Sequence, residues 1–181
     1  MKRRLLVIFS VIAILALLGT GSLAYYTAQG TASNIITTGN VQLRIVETSS
    51  DGSAFPAEGV TIMPGDTVSK ILQVENTGGS GMYLRVQLHS YVEGSQLSAE
   101  GCMEIDIDTQ YWTLKDGWYY YNSAIEPGEM TQPLFTGVHF NGDAVDNKYL
   151  GKVFALDVSA HAVQSANNGE TVWQAAGWPV I

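Results

Sequence analysis

From Met82 to Tyr91 the chain alternates without interruption: Met82, Leu84, Val86 and Leu88 fall on one side, Tyr83, Arg85, Gln87, His89 and Tyr91 on the other. Successive side chains of a strand point to opposite faces, so this pattern builds a strand with one face in a core. Apolar-in and polar-out is the pattern of an antiparallel sheet. The same period recurs at Val41, Leu43 and Ile45 against Gln42 and Arg44. It returns at Phe154, Leu156, Val158, Ala160 and Ala162 against Val153, Ala155, Asp157, Ser159 and His161. Val68, Leu72 and Val74 share a face with Lys70, which points to a bulge or an exposed edge there.

Turn residues separate these runs. Met63-Pro64-Gly65-Asp66 has the chemistry of a type II turn, Pro fixing φ at the second position and Gly accepting positive φ at the third. Glu75-Asn76-Thr77-Gly78-Gly79-Ser80-Gly81 is a glycine-rich break, and Asp116-Gly117 between two aromatic runs is a hairpin signal. Only Glu170 to Ala176 has helix-compatible spacing, with Asn168 as N-cap and Gly177 and Pro179 as stops. The fold class expected is an all-β, jelly-roll-like antiparallel β-sandwich with a short C-terminal helix.

The N-terminus reads differently. Lys2, Arg3 and Arg4 precede an apolar run from Leu5 to Leu18, followed by small residues up to Ala24, the order of a secretory signal peptide. Ser22 and Ala24 meet the small-residue demand at −3 and −1, placing the cut before Tyr25. The expected organisation is a signal peptide over residues 1–24 and one domain over 25–181, secreted and with no permanent membrane span after cleavage. The alternative is an uncleaved N-terminal anchor. Three of the 9 Lys+Arg lie in the leader, leaving 6 against 17 Asp+Glu, a balance that disfavours nucleic acid and anionic membranes. Cys102 is the only cysteine, so no intrachain disulfide forms and packing must stabilise the fold.

Searching for chemistry yields little. No Gly-x-Ser-x-Gly elbow or His-Glu-x-x-His pair occurs, and His89, His139 and His161 are widely separated, so no catalytic residue is assigned. No cofactor is expected, with calcium the one ion for which clustered oxygen ligands exist. Glu104, Asp106 and Asp108 alternate along one strand face, and Asp143 and Asp146 lie in the Asn141–Asn147 loop. The competing reading is a solvated acidic face that discourages edge pairing. Tyr111, Trp112, Trp118, Tyr119, Tyr120 and Tyr121 crowd one hairpin, as a sugar platform or as cross-strand packing.

Several short motifs occur together in a distinctive order. Gly21-Ser22-Leu23-Ala24-Tyr25-Tyr26-Thr27, Thr31-Ala32-Ser33-Asn34 and Thr38-Gly39-Asn40-Val41-Gln42-Leu43 are followed by Met63-Pro64-Gly65-Asp66 and Val74-Glu75-Asn76-Thr77-Gly78. Asp116-Gly117-Trp118-Tyr119-Tyr120-Tyr121, Glu126-Pro127-Gly128-Glu129 and Pro133-Leu134-Phe135 complete the set. In these motifs the chain resembles proteins exported through the SipW-type signal peptidase, the family of the biofilm fibre protein TasA and the camelysins. The resemblance implies a secreted sandwich of the cell surface or extracellular biofilm matrix, with a SipW-type peptidase and other copies or matrix proteins as partners. For TasA-like members it also implies fibres in which an N-terminal segment of one subunit completes a sheet of the next.

Tyr25 to Thr38 suits such a donor segment. It lacks a helix signal, and Tyr25, Tyr26, Ile35 and Ile36 supply the side chains expected to seat in an acceptor. An ordinary first strand folded onto its own domain is the equal alternative. The camelysin likeness carries surface metallopeptidase activity as a second functional reading, without a zinc motif here to support it. A monomeric adhesin binding glycans through the aromatic hairpin is a third.

Overall fold

The computed structural model describes the backbone of residues 26–34 and all of residues 40–179. The leader, Ser22, Ala24 and Tyr25 at the expected cleavage site, and Ile35 and Ile36 lie outside the described residues. The strands are β1 (Tyr26–Asn34), β2 (Leu43–Thr48), β3 (Val60–Ile62), β4 (Thr67–Asn76) and β5 (Met82–Val92). They continue with β6 (Met103–Ile105), β7 (Trp112–Lys115), β8 (Trp118–Tyr121), β9 (Phe135–Phe140) and β10 (Val153–Gln164). A six-stranded sheet runs in the order β3-β1-β10-β5-β8-β7, and a four-stranded sheet in the order β2-β4-β9-β6. The all-β sandwich expected from the alternation is the fold. All pairs are antiparallel except β1 with β10, which run parallel.

The core lies between the sheets. Leu84, Val86, Phe154, Leu156 and Val158 from the larger sheet meet Leu72, Val74, Phe135, Val138 and Phe140 from the smaller, all buried. Each such side chain contributes about 1.5–3 kcal/mol by leaving water. The inward rows of β5 and β10 are those read from the alternation. Their mutual register, Phe154 opposite Val92 through Gln164 opposite Met82, sets eleven residue pairs and makes β5–β10 the spine of the larger sheet.

Turn chemistry is satisfied where the sequence placed it. Gly65 has φ 91° and Asp66 N–H donates to the Met63 carbonyl at 3.0 Å, closing the expected turn. Asp116 (φ 51°) and Gly117 (φ 78°) form the two-residue loop between the paired Lys115 and Trp118, the left-handed conformation a tight hairpin requires.

Two expectations need correction. Lys70 does sit at a register shift, between Ser69 and Leu72, but β4 is an interior strand and Lys70 is only 4% exposed. Its Nζ lies 2.9 Å from Glu47 Oε1 and 4.4 Å from the centre of the Phe55 ring, so ion pairing and ring contact replace the water of an edge. The C-terminal helix does not form. Glu170 to Ala176 holds a turn closed by Gln174 N–H on the Thr171 carbonyl at 3.0 Å. Gly169 (φ 86°) and Gly177 (φ 80°) bracket a stretch too short to repay helix nucleation. Asn168 does not cap a helix. Its side chain bonds the Gln164 and Ala176 carbonyls and accepts from Ala176 N–H, at 2.8–3.0 Å, tying the tail into a loop. The one described helix is a single 3-10 turn at Asn147–Tyr149.

Candidate functional site: the slot of the first strand

β1 lies between β3 and β10 in the larger sheet. On one side residues 27–34 pair in parallel with 153–160 of β10, and on the other residues 26–28 pair with 60–62 of β3. β3 has no other partner in the sheet. Without β1 the larger sheet would end at β10, leaving a row of backbone donors and acceptors over most of a long strand, the template to which an added strand binds. The strands on either side of the slot carry apolar residues into the core, since Phe154, Leu156, Val158 and Ala160 of β10 and Ile62 of β3 are buried. The β1 sequence Tyr-Thr-Ala-Gln-Gly-Thr-Ala-Ser-Asn carries few large apolar groups, and its backbone pairs on both sides.

Asn40 to Gln42 are held at a fixed point. Gly79 N–H donates to the Asn40 carbonyl at 2.9 Å, and Thr77 and Gly78 N–H both donate to the Gln42 carbonyl at 3.0 and 3.1 Å. This close approach needs glycine: a Cβ on Gly78 would lie 2.5 Å from Asn40 O and 2.6 Å from Gln42 N. Behind it, Asn76 is fully buried, its Nδ2 donating to the Ser80 and Ile125 carbonyls and its Oδ1 accepting from Gly78 N–H. Gly128 N–H donates to the Asn76 carbonyl and Asn76 N–H to the Glu129 carbonyl. The separate Asn76-Thr77-Gly78 and Glu126-Pro127-Gly128-Glu129 motifs thus form one clamp that holds Asn40 to Gln42. β1 is joined to this anchor through residues 35–39.

The acidic candidates do not converge. Glu104 accepts from Asn141 Nδ2 at 3.1 Å, and Asp108 from Gln110 N–H at 2.9 Å. Asp106 accepts from Thr136 N–H, Gly137 N–H and the Thr136 hydroxyl at 2.5–2.8 Å. Burial pushes the Asp106 carboxyl up, but these hydrogen bonds outweigh it and hold the group below the usual carboxylate range. Asp146 accepts from Lys148 N–H at the start of the 3-10 turn, while the neighbouring Asp143 donates its backbone N–H to Asn141 Oδ1. Among the described residues no three His, Cys, Asp or Glu side chains gather as a metal site.

The histidines also stay apart. His89 stacks on Tyr91, His139 Nδ1 lies 3.0 Å from Thr67 Oγ1, and His161 is buried beside Arg85. The aromatic hairpin is largely occupied by packing. Trp112 is in the core with its Nε1 donating to the Gln132 and Pro133 carbonyls, Tyr119 and Tyr121 pack on that core, and Trp118 is covered by Arg85. Cys102 is buried, with Sγ near the Ser98 and Ala144 carbonyls. The nearby Tyr149 phenol, which donates to the Ser98 carbonyl at 2.8 Å, is pushed up to about 12, by the neighbouring Cys102 thiol first and by burial second.

What sequence reading left open was where the first strand goes. Its polarity and lack of a helix signal marked it as extended, but the parallel register with β10 is set by residues more than a hundred positions away. No protein-family model matches this chain, and no curated protein matches it.

Proposed function

We propose that this protein is a secreted structural subunit of the cell surface or extracellular matrix that assembles by strand complementation, β1 of one copy entering the β3–β10 slot of the next. The observation that carries the reading is the position of β1: first of the strands in sequence, internal in the sheet, and paired along its backbone with β10 and β3. A strand held in that way makes the same hydrogen bonds in its own domain or in a neighbour's, which is the condition for exchange between copies. Within one chain the slot is filled at the high effective concentration of a short tether, so the closed monomer competes with assembly. A leader still attached to Tyr25 would hinder threading, which couples assembly to export and cleavage.

Electron microscopy and sedimentation of the mature protein across concentration test this reading. The mature protein should form fibres, and a variant lacking residues 25–34 should fold but remain unassembled. A synthetic peptide of residues 25–36 should bind the truncated variant and raise its melting temperature. Ala28→Pro should weaken assembly, because Ala28 is paired with both β10 and β3 and proline removes its backbone donor. Fibres of normal yield from the truncated variant, or a mature protein that is monomeric at every concentration, would overturn the proposal.

A further inference from the structure

The outer face of the larger sheet carries a second, smaller apolar cluster. Tyr83 of β5, Val163 of β10 and Val172 of the tail are buried there, with Tyr120, Ala175 and Trp178 packed against them. The tail, residues 165–179, forms neither strand nor helix and lies across this face held by side chains. At its far end stands Arg85. The guanidinium lies 4.2 Å from the Trp118 ring of the sheet and 4.9 Å from the Trp178 ring of the tail. Nη2 donates to the Pro179 carbonyl at 2.9 Å, and Nη1 reaches Tyr120 Oη at 3.5 Å. Nε is buried without a hydrogen-bond partner, so this joint has little reserve.

Arg85 Nη2 also lies 3.3 Å from Nδ1 of His161, directly opposite it in the β5–β10 register and only 1% exposed. Arginine has donors and no acceptor, so the contact is a hydrogen bond only when Nδ1 is bare and the ring is neutral, its proton on Nε2. The Trp118 ring packs on the same imidazole at 4.5 Å.

We propose that Arg85 and His161 form an acid-released latch for the C-terminal tail. Protonating Nδ1 turns the acceptor into a donor that faces another donor, and sets two positive charges side by side in a buried space. Among the described residues the surroundings of the pair supply no carboxylate to offset the second charge, only the Trp118 ring. From β5 the charged group is Arg85 itself, from β8 the titratable group is Tyr120, and from β7 Lys115 lies over the tail ring of Trp173. On β10 Asp157 is bonded to Tyr91, and the tail brings Glu170, whose N–H bonds Gln174. Among the described residues no carboxylate pairs with Arg85. The element with least to hold it is the tail, since Arg85 and His161 are both fixed in the spine of the sheet.

The sign follows from burial, which together with the Arg85 charge lowers the His161 pKa from its ordinary 6.5. The folded latch binds fewer protons than the released one, so it is at full strength above pH 6.5 and weakens as pH falls through and below that value. Release would uncover Tyr83, Tyr120 and Val163 together.

Hydrogen exchange of the mature protein between about pH 7.5 and about pH 4.5, corrected for intrinsic rates, reads the latch directly. Amides of residues 170–178 should lose protection in acid while those of β5 and β10 keep theirs, in step with the His161 ring titration followed by NMR. Trp178→Ala should release the tail at every pH with the sheet intact. His161→Gln, which keeps an acceptor toward Arg85 but does not titrate, should hold the tail closed in acid. Tail protection unchanged through the His161 titration, tail and sheet opening together, or wild-type acid release in His161→Gln would each overturn the latch. Should His161→Gln fail to fold, the wild-type comparison of ring titration with tail exchange decides alone.

Discussion

The two ends of the described chain lie on the same sheet and are held in opposite ways. β1 enters the plane of the sheet and is tied through its backbone to β10 and β3. The tail covers the face of the sheet and is tied through Trp178, Val172, Asn168 and the Arg85 guanidinium. Backbone pairing is nearly indifferent to side-chain identity, so the first kind of tie transfers between copies. A cation between two rings, bonded to one particular carbonyl, is specific to its own geometry, so the second kind opens and closes in place. Ends fixed by different chemistry respond to different changes.

Substitutions separate them. The largest effect is expected where both ends share support: Phe154→Ala, at a fully buried ring of β10, should cost about 3–5 kcal/mol of unfolding free energy in denaturant titration. Both the slot and the tail face should suffer. Gly78→Ala acts on the N-terminal side alone, because the new Cβ meets the Asn40 carbonyl at 2.5 Å and backbone has no easy way to yield. A loss of about 1–3 kcal/mol is expected, with exchange protection at Thr77 and Gly79 falling first and the tail unaffected.

Asp106→Asn serves as a reference remote from both ends. Losing a charged acceptor of three hydrogen bonds on an exposed turn should cost about 1–2 kcal/mol at neutral pH. The wild-type contribution is present above pH 3.8 and is lost as pH falls through the lowered carboxyl pKa beneath it, so the acid limb of a stability profile should flatten in the variant. Smallest is Trp173→Ala. This ring is 42% exposed and meets Tyr120 at 5.1 Å, so about 0.5–1 kcal/mol should go, confined to the tail's own exchange. An effect of Trp173→Ala on β1, or of Gly78→Ala on the tail, would show that the two ends are coupled.

The long strands were legible because period two leaves no other arrangement for runs such as Met82 to Tyr91. The hairpin at Asp116-Gly117 was equally plain, since its backbone conformation depends on two adjacent residues. The tail was misread because helical spacing over seven residues says nothing about Tyr83, Val163 and Arg85, which hold that segment from other strands. Lys70 was read as a bulge correctly and as an edge wrongly, for its counter-ion Glu47 lies on a strand whose neighbour the alternation does not reveal. The acidic row at Glu104, Asp106 and Asp108 was visible as a row. That Asp106 instead ties down Thr136 and Gly137 depends on how β9 lies beside it. Of the slot, the sequence indicated an extended segment and no more, because an acceptor is a property of two distant strands together.

The parallel pairing of β1 with β10 has a directional consequence. A strand that enters alongside β10 points the same way as β10, whichever copy supplies it. Each subunit in an exchanged chain would therefore carry a donor at one end and an acceptor at the other. The contact would be heterologous, and unless the rotation between copies closes a ring it repeats without limit. Such a filament has polarity: growth at the tip with an empty slot and growth at the tip with a free strand are different reactions, with their own rates.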